Sequence, residues 1–228
     1  MIDIHAHVLP LVDDGSKSMD ETLALLTEEE KLGVTDVICT PHLRTKYRTE
    51  KPELVELVDK VQKIAIDKGL KIKLHLGREL YVSKHYKSNV KNFSATMPNE
   101  KYVLIEYNFG YECEIVETVY ELSSMGFIPI VAHPERYSYI TLSDIEELKS
   151  LGALIQINAE SVTASVFSRS GRFAKKLLSK GLVDFVASDI HYGRKNCLGK
   201  AYSFVSLKHG KEYANQIFKE NAKKIIEG

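Results

Sequence analysis

The sequence predicts an α/β fold, a distorted (β/α)7 TIM-like barrel, on three observations. Short apolar, β-branched runs recur along the chain, segments with helical periodicity separate them, and glycine closes most of those segments. Strands that alternate with helices favour a parallel sheet. Seven such units within 228 residues suggest a closed or nearly closed barrel rather than an open sheet. We expect one domain over residues 1–228, because no linker or repeat interrupts the pattern.

Seven runs have the length and composition of buried strands. Their apolar and β-branched residues fit the pleated surface of a sheet. The predicted strands are Met1–Ala6, Val34–Thr40, Lys71–Gly77, Tyr102–Tyr107, Phe127–Ala132, Ala153–Asn158 and Leu182–Ser188.

The first helix has the clearest start and stop signals. Ser18 followed by Glu21 is a capping box, and Gly33 ends the segment. The second helix is predicted from Pro52, a favourable first helical residue, to Gly69. The same pattern predicts helices at Glu112–Met125, Ser143–Leu151, Phe173–Lys180 and Gly210–Gly228, and a less regular one at Tyr81–Met97.

Composition argues against several classes of protein. Lys+Arg and Asp+Glu both total 31, so the net charge is zero and no basic stripe for nucleic acid is present. Neither a signal-peptide pattern nor a membrane-spanning apolar run occurs, and we expect a cytoplasmic protein without membrane insertion. Cys39, Cys113 and Cys197 are odd in number and widely spaced, so neither a disulfide framework nor a zinc ribbon is indicated.

Residues of the types that bind metals stand at or just beyond the C-terminal ends of most predicted strands. In barrels of this kind the loops at that face converge, so residues far apart in sequence become neighbours in space. The pattern therefore predicts one metal site. Its candidate ligands are His5, His7, His42, Glu79, Glu106, His133, Asp189 and His191.

The number of candidate ligands indicates more than one ion. Five imidazoles and at least three carboxylates exceed the needs of one tetrahedral cation. Mixed nitrogen and oxygen ligands suit Mn²⁺, Fe²⁺ or Zn²⁺, with Co²⁺ and Mg²⁺ as further candidates. We expect two or three ions, and Mn²⁺ is the metal that we predict. Each residue alone has a structural interpretation, since a single histidine on an apolar strand is commonly a hydrogen-bonded structural residue.

Five motifs together resemble a known family of enzymes. They are Met-Ile-Asp-Ile-His-Ala-His-Val-Leu-Pro (1–10), Asp-Asp-Gly (13–15), Thr-Pro-His (40–42), Ala-His-Pro-Glu-Arg-Tyr (132–137) and Ser-Asp-Ile-His (188–191). Nearly end to end, the chain resembles the polymerase and histidinol phosphatase (PHP) superfamily. More narrowly, it resembles the bacterial capsule and exopolysaccharide tyrosine-protein phosphatases of the CpsB/CapC type, which implies a PHP-type barrel.

This resemblance also implies roles for individual residues. One ion would be held by His5, His7, Glu79 and Asp189, a second by Glu79, Glu106 and His133, and a third by His42 and His191 with Asp14. Arg136 and Arg194 would bind the substrate phosphate. The implied substrate is a phosphotyrosine protein, the tyrosine-rich tail of a bacterial tyrosine autokinase of polysaccharide synthesis.

The expected chemistry follows from clustered cations. They would lower the pKa of bound water and clamp the phosphoryl group, so that a hydroxide attacks phosphorus in line, with His42 or His191 assisting through a water. No cysteine stands in a Cys-x5-Arg arrangement, which excludes the thiolate mechanism. Tyrosines that follow the strand ends are candidates to flank a substrate ring, or rim residues without contact; they are Tyr107, Tyr111, Tyr137, Tyr139 and Tyr192.

Three other functions fit parts of the pattern. A histidinol-phosphate phosphatase would use the same metals with a pocket for a small amine. An amidohydrolase also begins with His-x-His but usually needs a further histidine on the strand after His133, where this chain has Gln156 and Asn158. A non-catalytic, metal-loaded binding module would lack the anion-binding arginines, so Arg136 and Arg194 argue against it.

Overall fold

In the computed structural model, which describes residues 1–92 and 96–227, the strands form two parallel sheets. One sheet has the order β1-β2-β4, and the other has the order β3-β5-β6-β7-β8-β9. The strands are β1 Ile2–Ala6, β2 Asp36–Cys39, β3 His42–Leu43, β4 Lys73–Leu76, β5 Glu79–Tyr81, β6 Tyr102–Glu106, β7 Ile128–Ala132, β8 Leu154–Asn158 and β9 Phe185–Ala187.

The two sheets together form the wall of the barrel. The two ends of this wall meet where the segment after β9 runs alongside the C-terminal end of β1. The amide of Asp189 donates to the carbonyl of His5 at 2.8 Å, and the amide of His7 donates to the carbonyl of Ile190 at 3.0 Å. These bonds join the first and last strands at their C-terminal ends. The predicted distorted barrel is thereby confirmed.

The seven predicted strand positions are present, but two of them are each broken into two segments. The second breaks at Pro41, which has no amide hydrogen for a ladder. The third breaks at Gly77 and Arg78. Beyond both breaks the chain pairs again, with His42 opposite Glu79 in the β3–β5 register. The interruptions therefore bring these two candidate ligands side by side.

Strand β1 contains an irregularity that decides which side chains enter the barrel. Between Asp3 and Ala6 it advances three residues while β2 advances from Val37 to Cys39, so β1 carries one extra residue. A bulge of this kind reverses the alternation of side chains along the strand. Ile4 thus lies in the apolar cluster inside the barrel, while His5 joins the polar mouth.

Ten helices surround the wall in the described part of the chain. They are α1 Met19–Lys31, α2 Lys51–Asp67, α3 Tyr86–Asn92, α4 Ile115–Ser124, α5 Leu142–Ser150, α6 Ala159–Thr163, α7 Arg169–Ser179, α8 Leu198–His209, α9 Lys211–Asn215 and α10 Asn221–Ile226. A short 3-10 turn spans Pro134–Arg136, and a π-helical turn at Gln216–Glu220 joins α9 to α10. No helix in the described ranges is long and apolar enough to cross a membrane.

Helices α6 and α8 were not predicted, and two predicted helices differ in extent. Gly199 and several weak helix formers lower the propensity of α8, which packing on α6 and α9 compensates. The helix predicted at Gly210–Gly228 is interrupted by the π-helical turn, and Gly228 lies outside the described residues. Of the prediction at Tyr81–Met97, only α3 is helical, and residues 93–95 lie outside the described residues.

The apolar core has two layers. A small cluster fills the barrel beneath the polar mouth, with Ile4, Leu104, Ile130 and Phe185 among its members. A larger cluster packs between the strands and the surrounding helices. The floor of the candidate site is therefore a packed apolar plug.

Candidate metal centre

The eight candidate metal ligands predicted from the strand ends lie together at the C-terminal mouth of the barrel, and all are buried. Among the described residues, four groups of three place one ligand atom each within 4.8 Å of one another. The groups are His5, His7 and Asp189; His5, Glu79 and His133; His42, Glu79 and Glu106; and His7, His42 and His191. Each group shares at least one member with another, so they form one continuous centre.

Glu79 lies at the middle of this centre. Its Oε1 atom is 3.2 Å from Nε2 of His5 and 3.1 Å from Nε2 of His133. Its Oε2 atom is 2.7 Å from Nδ1 of His42 and 3.3 Å from Nε2 of His7. Each carboxylate oxygen thus faces two imidazoles, which is the arrangement expected of a carboxylate that bridges cations.

The other carboxylates lie around Glu79. Asp189 Oδ1 is 3.6 Å from Nε2 of both His5 and His7, and Glu106 Oε2 is 3.6 Å from Nδ1 of His42. Asp14 is 45% exposed at the edge, with Oδ1 3.3 Å from Nε2 of His42. Asp14 therefore lies beside His42, with which the resemblance groups it, but it belongs to none of the four groups.

The grouping in the structure differs in part from the sets implied by the resemblance. His5, His7 and Asp189 stay together as expected. Glu106, however, groups with Glu79 and His42, because it lies 3.6 Å from His42 but 4.0 Å from His133.

Unsatisfied polar atoms test whether this donor set fits cations. Nδ1 of His42 and of His133, Oε2 of Glu79 and Oε2 of Glu106 are buried without a hydrogen-bond partner. His42 Nδ1 and Glu79 Oε2 approach closely, but not with hydrogen-bond geometry. Each such atom costs about 1–3 kcal/mol unless something binds it. A set of buried imidazole and carboxylate lone pairs fits divalent cations.

Two arginines border a cavity of about 590 Å³ next to the centre. Arg136 donates from Nη1 to Oδ2 of Asp189 at 2.9 Å. Arg194 is exposed and lines the same cavity, together with Asn158. Arg136 thus pairs with a candidate ligand, while the neighbouring Glu135 is buried and accepts a hydrogen bond from the amide of Asn158.

Comparison with known proteins places this geometry in a family. The family model described as "Capsular polysaccharide synthesis, CpsB/CapC" matches residues 1–227. The chain belongs to the CpsB/CapC family. The family predicted from the five motifs is therefore confirmed.

Relatives of this chain carry the name tyrosine-protein phosphatase. The chain is 34% identical to the tyrosine-protein phosphatase CpsB of Streptococcus agalactiae over 241 residues, covering 99% of this chain and 98% of that protein. It superposes with a TM-score of 0.92 and 28% identity on a chain from the crystal structures of YwqE from Bacillus subtilis and CpsB from Streptococcus pneumoniae, described as metal-dependent tyrosine phosphatases, covering 100% of this chain and 94% of that one. The predicted enzyme class, metal-dependent tyrosine phosphatase, is the class of these relatives.

A less similar solved structure shares the fold. Histidinol phosphate phosphatase from Lactococcus lactis superposes with a TM-score of 0.61 and 14% identity, covering 93% of each chain. At that identity the likeness concerns the fold alone.

The Asp-Asp-Gly motif of this CpsB/CapC chain orients a ligand, a role that sequence reasoning missed. Asp13 Oδ2 lies 2.7 Å from Nδ1 of His7 and accepts the amide of His42 at 3.1 Å. Such a bond fixes the ring so that Nε2 faces the centre. Gly15 permits the approach, since a Cβ there would lie 2.0 Å from the carbonyl oxygen of His7. The adjacent acidic residues followed by glycine were the available signal.

Two polar residues of β8 were also missed as part of the site. Gln156 Oε1 lies 3.0 Å from Nδ1 of His5, and Asn158 donates to Oδ2 of Asp189 at 2.8 Å. Gln156 also donates to Asn158, which links the two into one network. Their signal was an i, i+2 pair of polar residues on a buried strand, which places both on one face.

Two candidate ligands have left-handed backbone conformations. His133 has φ 34° and Asp189 has φ 51°. Non-glycine residues in this region cost about 1–3 kcal/mol and occur mainly at functional sites. The strain turns both side chains toward the centre just after their strands end.

Mutual charges set the ionisation of the centre. Burial disfavours a charged Glu79, but His5 and His42 outweigh this and hold the pKa of Glu79 well below its usual value. Burial also opposes protonation of His42, yet the charge of Glu79 raises the pKa of His42 to about 9. Burial and the neighbouring His7 lower the pKa of His191 to about 4.

We expect metal binding to release protons at neutral pH. Since the pKa of His42 is about 9 in the metal-free protein, its ring is protonated at pH 7 and a cation must displace that proton. Apparent metal affinity should rise with pH and level off above about 9, as the proton is lost beforehand. Calorimetric titration with Mn²⁺ in two buffers of different ionisation enthalpy measures the release; no proton release at pH 7 would contradict the assignment of His42.

The tyrosines proposed to flank a substrate ring differ in exposure. Tyr107 and Tyr137 are buried, Tyr139 is half-buried, and Tyr111 and Tyr192 are exposed. The aromatic residue closest to the arginine site is one that the sequence did not single out. Phe109 lies 4.4 Å from the guanidinium of Arg136 and 5.6 Å from the ring of His133.

Proposed function

We propose that this chain is a Mn²⁺-dependent protein-tyrosine phosphatase that hydrolyses phosphotyrosine. The observation that carries the proposal is the buried carboxylate of Glu79 among four imidazoles, beside a cavity with two arginines. His5, His7, Asp189 and the residues grouped with Glu79 would hold the ions. Bound divalent cations supply a nucleophile at neutral pH and neutralise charge on the phosphoryl group.

Arg136 and Arg194 bind the phosphate in this proposal. Arg136 is held in place by Asp189 on one side and by the ring of Phe109 on the other, so its guanidinium is fixed before substrate arrives. Guanidinium groups suit phosphate because their planar donors match two oxygens at once. Arg194 is exposed and lines the same cavity.

Residues around the ligands keep the imidazoles in one orientation. Asp13 holds His7, and Gln156 holds His5. His191 bonds through Nδ1 to the carbonyl of Asp189 and has its pKa lowered to about 4, so it is neutral and has Nε2 free as a ligand. This ionisation state favours a role in binding cations over a role as a general acid.

The proposed substrate suits a site with no strong acid. A phenolate leaves with a pKa near 10, which is far below that of an alkoxide, so protonation of the leaving group matters less. Cys39 is poorly suited as a nucleophile, because it is buried and burial raises its pKa. Gln156 and Asn158 occupy the strand where an amidohydrolase would place a histidine.

The proposal extends to a partner and a location. We infer that the substrate is the tyrosine-rich tail of a bacterial tyrosine autokinase of capsule or exopolysaccharide synthesis, in line with the CpsB/CapC family description. Because such a kinase uses ATP, the encounter would take place in the cytoplasm. The activity would reside in a single domain over residues 1–228.

Initial rates test the proposed function directly. Metal-stripped protein reloaded with Mn²⁺ is assayed on a phosphotyrosine peptide and on histidinol phosphate, each with and without a chelator. Chelator-sensitive turnover that favours the peptide supports the proposal. A preference for histidinol phosphate would assign the small-molecule activity instead, and turnover of neither would leave a binding role. Reloading in parallel with Fe²⁺, Zn²⁺, Co²⁺ and Mg²⁺ compares the metals.

The arginines should differ in the size of their effects. Replacing Arg136 by alanine removes a fixed, charge-assisted contact and is expected to lower kcat/KM about 10- to 100-fold, whereas Arg194→Ala at the exposed wall should cost about 10-fold, mainly in KM. Arg172→Lys, an exposed change on α7, serves as the control. Equal rates for Arg136→Ala and the wild type would show that Arg136 does not bind phosphate.

A further inference from the structure

A second cavity, of about 330 Å³, borders the metal centre at Glu106 and Phe109. We call it the lateral cavity. Its other walls come from the loop after β3 and from the ends of β5 and β6, namely Arg44, Thr45, Lys46, Tyr81, Tyr107 and Asn108. Its volume is at the small end of the range for ligand pockets, about 300–1,000 Å³. It is thus large enough for one side chain of a bound peptide.

Cations and hydrogen-bond donors dominate the polar lining of the lateral cavity. Lys46 is exposed and forms no salt bridge with an acidic residue within the described ranges. Arg44 pairs with Asp14 at 3.2 Å through one nitrogen, Nη2, and is 32% exposed. The hydroxyl of Tyr81 accepts a long bond of 3.5 Å from Asn108.

One acid, Glu106, lines the lateral cavity, and it belongs to the centre. Its carboxylate oxygens lie 3.6 Å from His42 and 4.0 Å from His133. Its carboxylate therefore lies against the imidazoles of the centre. The other charged residues of the lining, Arg44 and Lys46, are positive and complement a carboxylate.

Phe109 connects the lateral cavity to the phosphate site. Its ring lines the lateral cavity and also lies 4.4 Å from the guanidinium of Arg136. Neighbouring residues of an extended peptide are about 3.3–3.8 Å apart. A residue adjacent to a phosphotyrosine held at Arg136 would thus reach the lateral cavity.

From this arrangement we propose that the lateral cavity is a specificity subsite for an acidic side chain next to the phosphotyrosine. The inference rests on the proposed function and adds to it a substrate class, acidic phosphotyrosine peptides. The carboxylate would meet Lys46 and Tyr81, with Arg44 contributing charge. Because Lys46 is exposed, the contact sets preference among peptides more than overall rate.

The test compares three phosphotyrosine peptides that differ in one flanking residue, which is glutamate, glutamine or lysine. Wild-type protein should show the highest kcat/KM for glutamate and the lowest for lysine, with about a five-fold step per unit of charge. Lys46→Glu should abolish or reverse the order, and Lys46→Ala should weaken it. Both variants should turn over para-nitrophenyl phosphate, which has no flanking residue, at the wild-type rate.

A matched control separates the subsite from overall charge. Lys63→Glu makes the same change of charge at an exposed position toward the C-terminal end of α2, and it should keep the wild-type order. If all three peptides react equally well in the wild type, or if Lys63→Glu alters the order as much as Lys46→Glu, the subsite is wrong while the phosphatase activity stands. If no phosphotyrosine peptide reacts, the proposed function fails and the subsite falls with it.

Discussion

Replacing Glu79 by glutamine is expected to lower kcat/KM on a phosphotyrosine peptide by at least about 100-fold and to reduce the bound metal. The amide keeps the shape of the side chain but removes the negative charge that both oxygens present to four imidazoles. Metal content by mass spectrometry of the native protein and steady-state rates measure the two effects. Full metal content together with a full rate would show that Glu79 does not bridge ions.

Glu29 provides a control for removing a buried carboxylate. It lies on α1, is fully buried, and accepts a hydrogen bond from Asn196. Burial and the nearby Asp3 raise its pKa well above the ordinary value, so replacement by a neutral amide is expected to cost little at this position. Glu29→Gln should therefore retain metal and activity, and a similar loss in both variants would point to a general effect on folding.

Removing the metal should lower thermal stability as well as activity. Without cations, Oε2 of Glu79, Oε2 of Glu106 and Nδ1 of His133 are buried without a hydrogen-bond partner. An ion present at 100 times its Kd contributes about 2.7 kcal/mol, and in a chain of this size that corresponds to a fall in Tm of about 5–10 °C for each ion lost. Calorimetric scans of Mn²⁺-loaded and chelator-treated protein measure the change, and turnover of phosphotyrosine peptide should fall to background.

The same scans on Glu79→Gln provide an internal check. If the ions stabilise the protein through Glu79, the chelator should shift the Tm of this variant less than that of the wild type. Readdition of Mn²⁺ should restore both the Tm and the rate of the wild type. A Tm that does not respond to chelator would indicate that the ligands are stable without cations.

The barrel and the place of the site could be predicted because both depend on alternation along the chain. Glycine after most of the predicted helices and apolar runs between helices locate the seven strand positions, and strand ends converge whatever the details of the loops. The eight candidate ligands could therefore be named from their distance to those ends. Helix α8 could not be predicted, because its stability comes from packing on α6 and α9 rather than from its own sequence.

The residues that orient the ligands could not be predicted from the sequence, for a different reason. Asp13, Gln156 and Asn158 act through hydrogen bonds across the mouth, so their partners are determined by tertiary geometry. The assignment of Glu106 depends on a few tenths of an ångström between two histidines. Strand spacing alone does not resolve differences of that size.

The extra residue in β1 also bears on how such a centre arises and is lost. Because of the bulge, the side chain of Ile4 packs in the apolar plug, and that of the next residue, His5, lies at the polar mouth. A related chain could carry every ligand of this centre and still fail to assemble it if its first strand paired without interruption, since His5 would then turn toward the helices. Inspection of ligand identity alone would count that chain as an enzyme, so the extra residue in the first strand is itself a criterion for recognising members of this fold that can assemble the centre.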